Sequence, residues 1–232
     1  MSAASRAQVL EAIRQALAPL PQSGTAQADR PVIQLPTPLP ARGAESTALL
    51  VARFVRAAEG AGAQVARVAS HTAAGAQIRS WLAAHGARQV VCAPTKLLAG
   101  LGRAELSRPK ATVHFLDPAT SVEERRQRLL AADVGISDAD YGLADTGTLV
   151  VRGTPAQGRL VSLVPPVHIG LLSRGRIVAD LAACFRALNP HVETQRTSLL
   201  TLITGPSRTA DIEQTLTLEV HGPGTLYILL MD

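Results

Sequence analysis

From residue 44 onward, short apolar runs alternate with longer segments of helical periodicity, and this alternation restricts the possible folds more than any other feature of the sequence. Residues 64–69, 89–93 and 112–116 have the length and apolar content of strands. Residues 45–59 and 73–84 have helical spacing, and glycines follow each of them. Because helices that alternate with strands cover both faces of a parallel sheet, the sequence predicts an α/β fold.

The second half of this domain is richer in strands. Ser121-Val122-Glu123-Glu124 fits a capping box, which predicts a helix that runs to about Ala132. The remaining elements are expected as strands at 148–152, 160–164, 168–172, 199–204 and 226–231, and as helices at 175–187 and 207–214.

The first 42 residues have a different pattern. Residues 5–18 repeat apolar positions at helical spacing. Residues 19–42 contain six prolines, a density that blocks both helices and central strands. We therefore expect an N-terminal helical arm with a proline-rich linker over residues 1–42, and an α/β domain over residues 43–232.

The composition argues against several classes of function. The two cysteines, Cys92 and Cys184, lie far apart and outside any CxxC pattern, so no iron–sulfur or structural zinc site is expected. Arginines are scattered and aromatic residues make up only 3%, which argues against nucleic-acid binding. The N-terminus lacks a signal-peptide pattern and no run of 18 apolar residues exists, so we expect a cytoplasmic protein without a membrane span. The net charge of +5 favours acidic partners or anionic substrates.

Polar, glycine-bearing segments follow or precede several predicted strands, and α/β sheets bind ligands at the carboxyl ends of strands. Asp145-Thr146-Gly147-Thr148 is a tight polar turn that leads into a strand. Gly147 allows a backbone conformation that other residues avoid and allows a ligand to approach. Asp145 can act as a base or accept a hydrogen bond from a ligand hydroxyl. The alternative is that the side chains of this turn only close it through bonds to the backbone.

A second segment joins the strand that ends at Thr204 to a predicted helix start at Ser207–Thr209. Such a helix start leaves backbone N–H groups for an anion, and Arg208 can add a bidentate donor. Asp211 and Glu213 either stabilise the helix dipole or orient a ligand.

Two histidines complete the set of candidates. His168 follows a Pro-Pro pair in apolar surroundings, where a histidine is either a core residue or a catalyst, and His221 lies in a glycine-proline turn. No spacing typical of a metal site includes them, so no metal is expected. The catalytic candidates are Asp145, His168 and His221. The ligand-binding candidates are Thr146, Gly147, Thr148, Thr204, Gly205, Ser207, Arg208, Thr209, Asp211, Glu213 and Gly222.

The segments that contain these candidate residues also resemble those of a known protein family. Asp138-Ala139-Asp140, Asp145-Thr146-Gly147-Thr148, the string from Thr204 to Glu213 and His221-Gly222-Pro223 resemble the lactate utilization protein C family, the short members of the LUD-domain proteins. The resemblance is strongest over residues 130–232. It implies a three-layer α/β/α sandwich with a mostly parallel sheet, similar to the fold of the sugar-phosphate isomerase and CoA-transferase class.

The resemblance also implies a function. Members of the family are encoded with two iron–sulfur proteins and support the oxidation of L-lactate to pyruvate. The longer iron–sulfur member carries ferredoxin-like cysteine motifs, which this chain lacks. The chain is therefore expected to be an accessory subunit without a cofactor, which binds a small anionic ligand or its iron–sulfur partner proteins.

Two other functions stay open from the sequence. One is a free-standing isomerase or acyl transferase, in which Asp145 is the base and the helix start at Ser207–Thr209 holds a phosphate or a CoA pyrophosphate. The other is a scaffold or regulator that docks on a partner through the helix at residues 5–18.

The scaffold hypothesis makes a direct prediction. Truncation of residues 1–42 is expected to abolish association with a partner and to leave the α/β domain folded, because the helix and the domain are separated by a proline-rich linker. Co-purification measures the association and circular dichroism measures the fold. Partner binding that survives the truncation would rule out this helix as the docking element.

Overall fold

A computed structural model describes residues 45–106, 111–117, 119–153, 158–192, 199–210, 216–218 and 222–232, together with Gln8 and Glu11. Contacts between Cα atoms divide the chain into residues 1–39 and residues 40–232, and all elements below belong to the second unit. The predicted N-terminal helix and linker lie outside the described residues, apart from Gln8 and Glu11.

From Thr47 to Asp138 the helices and strands alternate along the chain, as the sequence predicts. The helices are α1 (Thr47–Gly60), α2 (His71–Ala84), α3 (Lys96–Leu106), α4 (Val122–Leu130) and α5 (Leu181–Val192). The strands are β1 (Gln64–Val68), β2 (Gln89–Cys92), β3 (Thr112–Phe115), β4 (Val134–Asp138), β5 (Tyr141–Leu143), β6 (Thr148–Gly153), β7 (Val167–Ser173), β8 (Ile177–Val178), β9 (Leu199–Ile203), β10 (Arg208–Ala210), β11 (Leu216–Leu218) and β12 (Thr225–Met231). No described helix has the length and apolarity that a membrane span requires.

Three helices begin at serine caps. The side chains of Ser46, Ser70 and Ser121 each accept a hydrogen bond from a backbone N–H in the first turn of α1, α2 and α4. The Ser121 contact goes to the N–H of Glu124, at 3.2 Å, which confirms the predicted N-cap. These serines satisfy N–H groups that a helix cannot pair internally, so the local sequence alone fixes where the helices start.

Six strands form a parallel sheet in the order β1-β12-β7-β4-β2-β3. Successive residues of β12 are buried on opposite faces. Tyr227 and Leu229 pack in the core beneath α2 and α3, while Leu226 and Ile228 pack in the core beneath α1. Burial on both faces is typical of strands in an α/β sandwich, and the predicted three-layer fold is confirmed.

A second sheet was not anticipated. Strands β8, β5, β6 and β9 form a four-stranded sheet, in which β6 is antiparallel to both β5 and β9. Leu149 of β6 packs in the same core cluster as Phe54 of α1 and Ile228 of β12. On its other side, the sheet packs against Cys184 and Leu188 of α5. This sheet therefore lies beside α1 on one face of the parallel sheet.

Several predicted elements were wrong in position or type. Residues 160–164 are not a strand but contain a 3-10 helix, Arg159–Ser162, which precedes the Pro165-Pro166 pair. The helix expected at 175–187 begins only at Leu181, after β8. Helix α3 and strand β4 were not predicted.

The helix expected at residues 207–214 is also wrong where the structure describes it. Residues 208–210 form β10, which pairs with β11 in an antiparallel ladder from Arg208↔Leu218 to Ala210↔Leu216. The β11 partner supplies backbone hydrogen bonds that a local pattern cannot reveal, and this pairing prevails over helical spacing.

Two glycine turns approach the carboxyl-terminal end of α1. Gly147 and Gly205 both have positive φ angles, 67° and 72°. A Cβ atom on Gly147 would lie 2.1 Å from the N atom of Ala58, and one on Gly205 would lie 2.2 Å from the O atom of Ala61. The room that a side chain would need is thus occupied by helix backbone, so these glycines hold two turns against α1.

Substitution of Gly147 by alanine is expected to destabilise the domain by at least about 3 kcal/mol, because it combines left-handed strain with a backbone collision. Gly86→Ala is the matched control, since Gly86 has a φ of 59° but nothing within 4 Å of its missing Cβ. The control is expected to cost only about 1 kcal/mol. Denaturant titration measures both values, and equal losses would contradict the packing role of Gly147.

Candidate functional site

A cavity of about 490 Å³ lies at the amino ends of β7 and β12. Its walls come from the 3-10 helix before β7, from β9 and the turn after it, and from the start of β12. The lining residues are Ala61, Ser162, Leu163, His168, Thr201, Leu202, Ile203, Thr204, Gly205, Pro206, Ser207, Gly222, Pro223 and Leu226. The expectation from the sequence was the carboxyl edge of the sheet. The site lies at the opposite edge because β9, in the second sheet, brings its terminal turn there.

The structure brings five of the predicted residues to this cavity. They are His168, Thr204, Gly205, Ser207 and Gly222. Arg208 and Thr209 lie in β10, and their side chains are not among the described ones. Asp211, Glu213 and His221 lie outside the described residues. Sequence reasoning missed Ser162 and Thr201, whose place in the wall depends on the 3-10 helix and on the second sheet.

The Asp145–Thr148 turn does not line the cavity but is joined to it by hydroxyl groups. Thr146 Oγ1 donates to the Asp145 carboxylate at 3.2 Å and lies 2.7 Å from Thr148 Oγ1. Thr148 Oγ1 in turn lies 2.8 Å from Thr204 Oγ1, in the cavity wall. Thr148 is buried, whereas Asp145 is exposed. A continuous chain of side-chain hydrogen bonds therefore runs from a surface carboxylate to the cavity.

His168 is fully buried on β7 and lines the cavity. Its Nε2 atom lies 2.9 Å from Ser137 Oγ on the neighbouring strand β4. Its Nδ1 atom is buried and has no hydrogen-bond partner among the described residues. Burial lowers the pKa of His168 from 6.5 to about 4, so the ring is neutral at physiological pH. A buried polar atom without a partner is unusual, and here it belongs to a side chain in the cavity wall.

The described side chains that line the cavity include no carboxylate, lysine or arginine. They offer hydroxyl groups and one neutral imidazole, which suits recognition by hydrogen bonds. Asp145 is exposed and hydrogen-bonds to Thr146, so the structure does not bring Asp145 and His168 together as an acid–base pair. Among the described residues, no cluster of three or more His, Cys, Asp or Glu could hold a metal ion.

The aspartates of the Asp138-Ala139-Asp140 string have contacts of their own at the other edge of the sheet. Asp138 accepts a hydrogen bond from the N–H of Leu97 at the start of α3, at 3.1 Å, and burial raises the pKa of its carboxyl group. Asp140 accepts from the backbone N–H and the Nε atom of Arg152, at 2.8 and 2.7 Å. These contacts anchor β4 to α3 and to β6, so both aspartates have structural partners.

A second cavity of about 490 Å³ has a different character. Its walls come from α4 and the 3-10 helix before β7, and its lining residues are Leu116, Val122, Arg125, Arg126, Leu129, Leu130, Gly158, Leu160, Val161 and Val164. It contains none of the predicted site residues and no hydroxyl side chain. Of these two cavities, the one at His168 and Thr204 is therefore the candidate site, because five of the predicted residues line it and none of them lines the other.

Comparisons with known proteins agree with the resemblance found in the sequence. Residues 51–231 match the family model described as LUD domain. A lactate utilization protein C from Geobacillus kaustophilus is 32% identical over 67% of this chain and 68% of its own length. Another, from Macrococcus caseolyticus, is 37% identical over 44% of this chain and 45% of its own length. The matched segments thus span about two thirds of the first relative and under half of the second.

The fold has a counterpart among solved structures. A crystal structure of a DUF162 family protein from Deinococcus radiodurans superimposes with a TM-score of 0.60 and 21% identity. The match covers 82% of this chain and all of that chain. At this identity the likeness supports the fold alone.

The buried state of His168 predicts a pH dependence of stability. Between pH 6.5 and about 4 the unfolded chain binds a proton that the folded chain excludes, so stability falls as the pH falls through this window. The loss is expected to reach about 3 kcal/mol, and His168→Phe is expected to remove that component. Denaturant titrations at a series of pH values measure both slopes. Identical slopes in the variant and the parent would contradict a buried neutral histidine.

Proposed function

The chain belongs to the LUD domain family, in the lactate utilization protein C group, and on that premise we propose that it is an accessory subunit of a lactate-utilization system in the cytoplasm. In this role it supports the oxidation of L-lactate to pyruvate without carrying an iron–sulfur cluster. Its site is the cavity beside His168 and Thr204, which binds a small anionic ligand.

The observation that carries this proposal is the convergence of polar groups from distant parts of the chain on one cavity. His168, the turn from Thr204 to Ser207, and Gly222 come from three separate segments and share its wall. The Ser207 hydroxyl and the imidazole N–H can donate to carboxylate oxygens without a formal positive charge, as the donors of oxyanion sites in other proteins do. A cavity of about 490 Å³ has ample room for a three-carbon acid.

The positions of the two cysteines support the proposed division of labour with other proteins. Cys92 packs in the core cluster beneath α2 and α3, whereas Cys184 packs between α5 and the four-stranded sheet. Burial raises the pKa of the Cys184 thiol to about 11, so a thiolate ligand is disfavoured there. Two thiols held in separate clusters cannot share an iron–sulfur cluster. Electron transfer is therefore assigned to iron–sulfur partner proteins.

The alternative of an isomerase or acyl transferase loses its main support. It relied on a helix start at Ser207–Thr209 as a phosphate site, and the described residues 208–210 form a strand instead. It also relied on Asp145 as a base, but the Asp145 carboxylate lies outside the cavity lining.

Growth experiments test the accessory role. Deletion of the gene, in a strain without another copy, is expected to abolish growth on L-lactate and to leave growth on pyruvate unchanged, because pyruvate enters metabolism after the affected step. Complementation with the full chain restores growth. Normal growth of the deletion strain on L-lactate would refute the proposed role.

Binding experiments test the site. L-lactate at ten times its dissociation constant is expected to stabilise the folded chain by about 1.4 kcal/mol and to raise Tm by about 3–6 °C. Inorganic phosphate is the control ligand and is expected to have a smaller effect, since the described lining includes no cation. A larger stabilisation by phosphate than by lactate would favour the isomerase or transferase alternative.

A further inference from the structure

The hydrogen bonds that join Thr146, Thr148 and Thr204 all run in the same direction, from donor to acceptor toward Asp145. The Asp145 carboxylate can only accept, so the hydrogen of Thr146 Oγ1 points to it. Thr146 has no second hydrogen to donate, and Thr148 must therefore donate to Thr146 across 2.7 Å. By the same logic Thr204 donates to Thr148 across 2.8 Å. The hydrogen of Thr204 is thus committed inside the protein, and its oxygen can only accept a hydrogen bond from the cavity.

His168, in contrast to Thr204, offers a hydrogen-bond donor. Ser137 is buried, and its hydroxyl contacts only His168 among the described residues. If Nε2 donated to the serine, the serine hydrogen would be left without an acceptor. Donation from Ser137 to Nε2 satisfies both groups and places the ring hydrogen on Nδ1. His168 therefore offers a neutral N–H donor that lacks a partner within the described protein.

We propose that this cavity selects a 2-hydroxy carboxylate over the corresponding 2-oxo acid. Thr204 accepts a hydrogen bond from the ligand hydroxyl, and His168 donates one to the ligand carboxylate. The acceptor role of Thr204 is fixed by the positioning residues Asp145, Thr146 and Thr148. The donor role of His168 is fixed by the positioning residue Ser137. The inference rests on the proposed function, since it specifies the small anion that the same cavity binds.

The selectivity has a simple chemical basis. The hydroxyl of lactate carries a hydrogen that can satisfy the lone pairs of Thr204. The carbonyl oxygen of pyruvate has only lone pairs, so it faces an acceptor with no hydrogen between them. A ligand that leaves a polar group of the binding site without a hydrogen bond binds more weakly than one that satisfies this group. The substrate of lactate oxidation is therefore held, and the product is released.

The test compares three acids by isothermal titration of the full chain. L-lactate is expected to bind about fivefold to tenfold more tightly than pyruvate and than propionate, which lacks the oxygen at carbon 2. Thr204→Val keeps the shape of the wall and removes the acceptor. In this variant lactate is expected to weaken to the level of propionate, while propionate is unchanged.

Thr201→Val is the matched control. Thr201 lines the same cavity, and no hydrogen bond joins it to the described hydroxyl chain. The control variant is expected to keep the preference for lactate. A general effect of removing a hydroxyl from the wall would instead change both variants alike, and this result would overturn the assignment of Thr204.

A second variant acts from outside the cavity. Asp145→Ala removes the acceptor that orients the chain, so Thr146 can donate to Thr148 and the order of the hydroxyl groups can reverse. Thr204 can then donate to a carbonyl oxygen, and the ratio of lactate to pyruvate affinity is expected to fall toward one. A merely structural role of Asp145 would lower both affinities and leave the ratio unchanged, which would overturn its role in positioning.

Imidazole NMR tests the histidine without any substitution. The ¹⁵N and ¹³C shifts of His168 are expected to report the tautomer with the hydrogen on Nδ1, and to move when propionate or lactate is added. The other tautomer would overturn the donor role of His168.

The outcomes separate this inference from the proposed function. If none of the three acids binds, the proposed site fails and the selectivity fails with it. If lactate and pyruvate bind equally and Thr204→Val changes neither, the site stands and the selectivity is wrong.

Discussion

The candidate site depends on the close approach of two glycine turns to the end of α1. Gly147 and Gly205 leave room for the backbone of Ala58 and Ala61, and this contact draws the ends of β6 and β9 together against one helix. Thr148 and Thr204, which flank the paired residues Leu149 and Ile203, lie within hydrogen-bond distance of each other. A side chain at either glycine would collide with this backbone, so the turns could not keep their present contact with the end of α1. A steric constraint on backbone thus holds one wall of a polar site against α1.

A neutral histidine gives such a site properties that a charged residue would not. A buried cation attracts every anion, whereas N–H and hydroxyl groups discriminate by the direction of their hydrogens. Ser137 and His168 have almost no exposed surface, so water competes weakly for the hydrogen bond between them. In the proposed function, recognition at this cavity therefore depends on which ligand atoms carry hydrogen rather than on net charge alone.

The sequence predicted the α/β class, five of the six strands of the parallel sheet and the start of α4. Strand length, apolar content and the serine caps are local properties, and Ser121 caps α4 as its motif indicates. The second sheet could not be inferred, because the pairing of β6 with β9 joins segments about fifty residues apart and has no local signature. Residues 208–210 were expected to be helical for another reason: their partner strand is close in sequence, but the polar residues 207–209 match the pattern of a helix start.

The candidate site was only partly predictable for a similar reason. Residue type singled out Thr204, Ser207 and His168, and the structure places all three in one wall. Sequence patterns cannot show that Ser137 fixes the ring of His168, since that contact crosses between strands β4 and β7. Nor can they show that Gly147 faces a helix rather than a ligand. Contacts between side chains on neighbouring strands, and between a turn and a helix, depend on the tertiary fold and have no local sequence pattern.

The strand order of the parallel sheet has a consequence for how the domain is made. Strand β1 pairs with β12, so Gln64 finds its partner Tyr227 only when a segment from the far end of the domain has been synthesised. Until β12 is in place, β1 and β7 each have an unpaired edge that can pair with other chains. Nearly the whole domain must leave the ribosome before the sheet can close, and contacts of such long range slow the search for it. The sheet of a nascent chain therefore keeps two open strand edges until β12 has been inserted between β1 and β7.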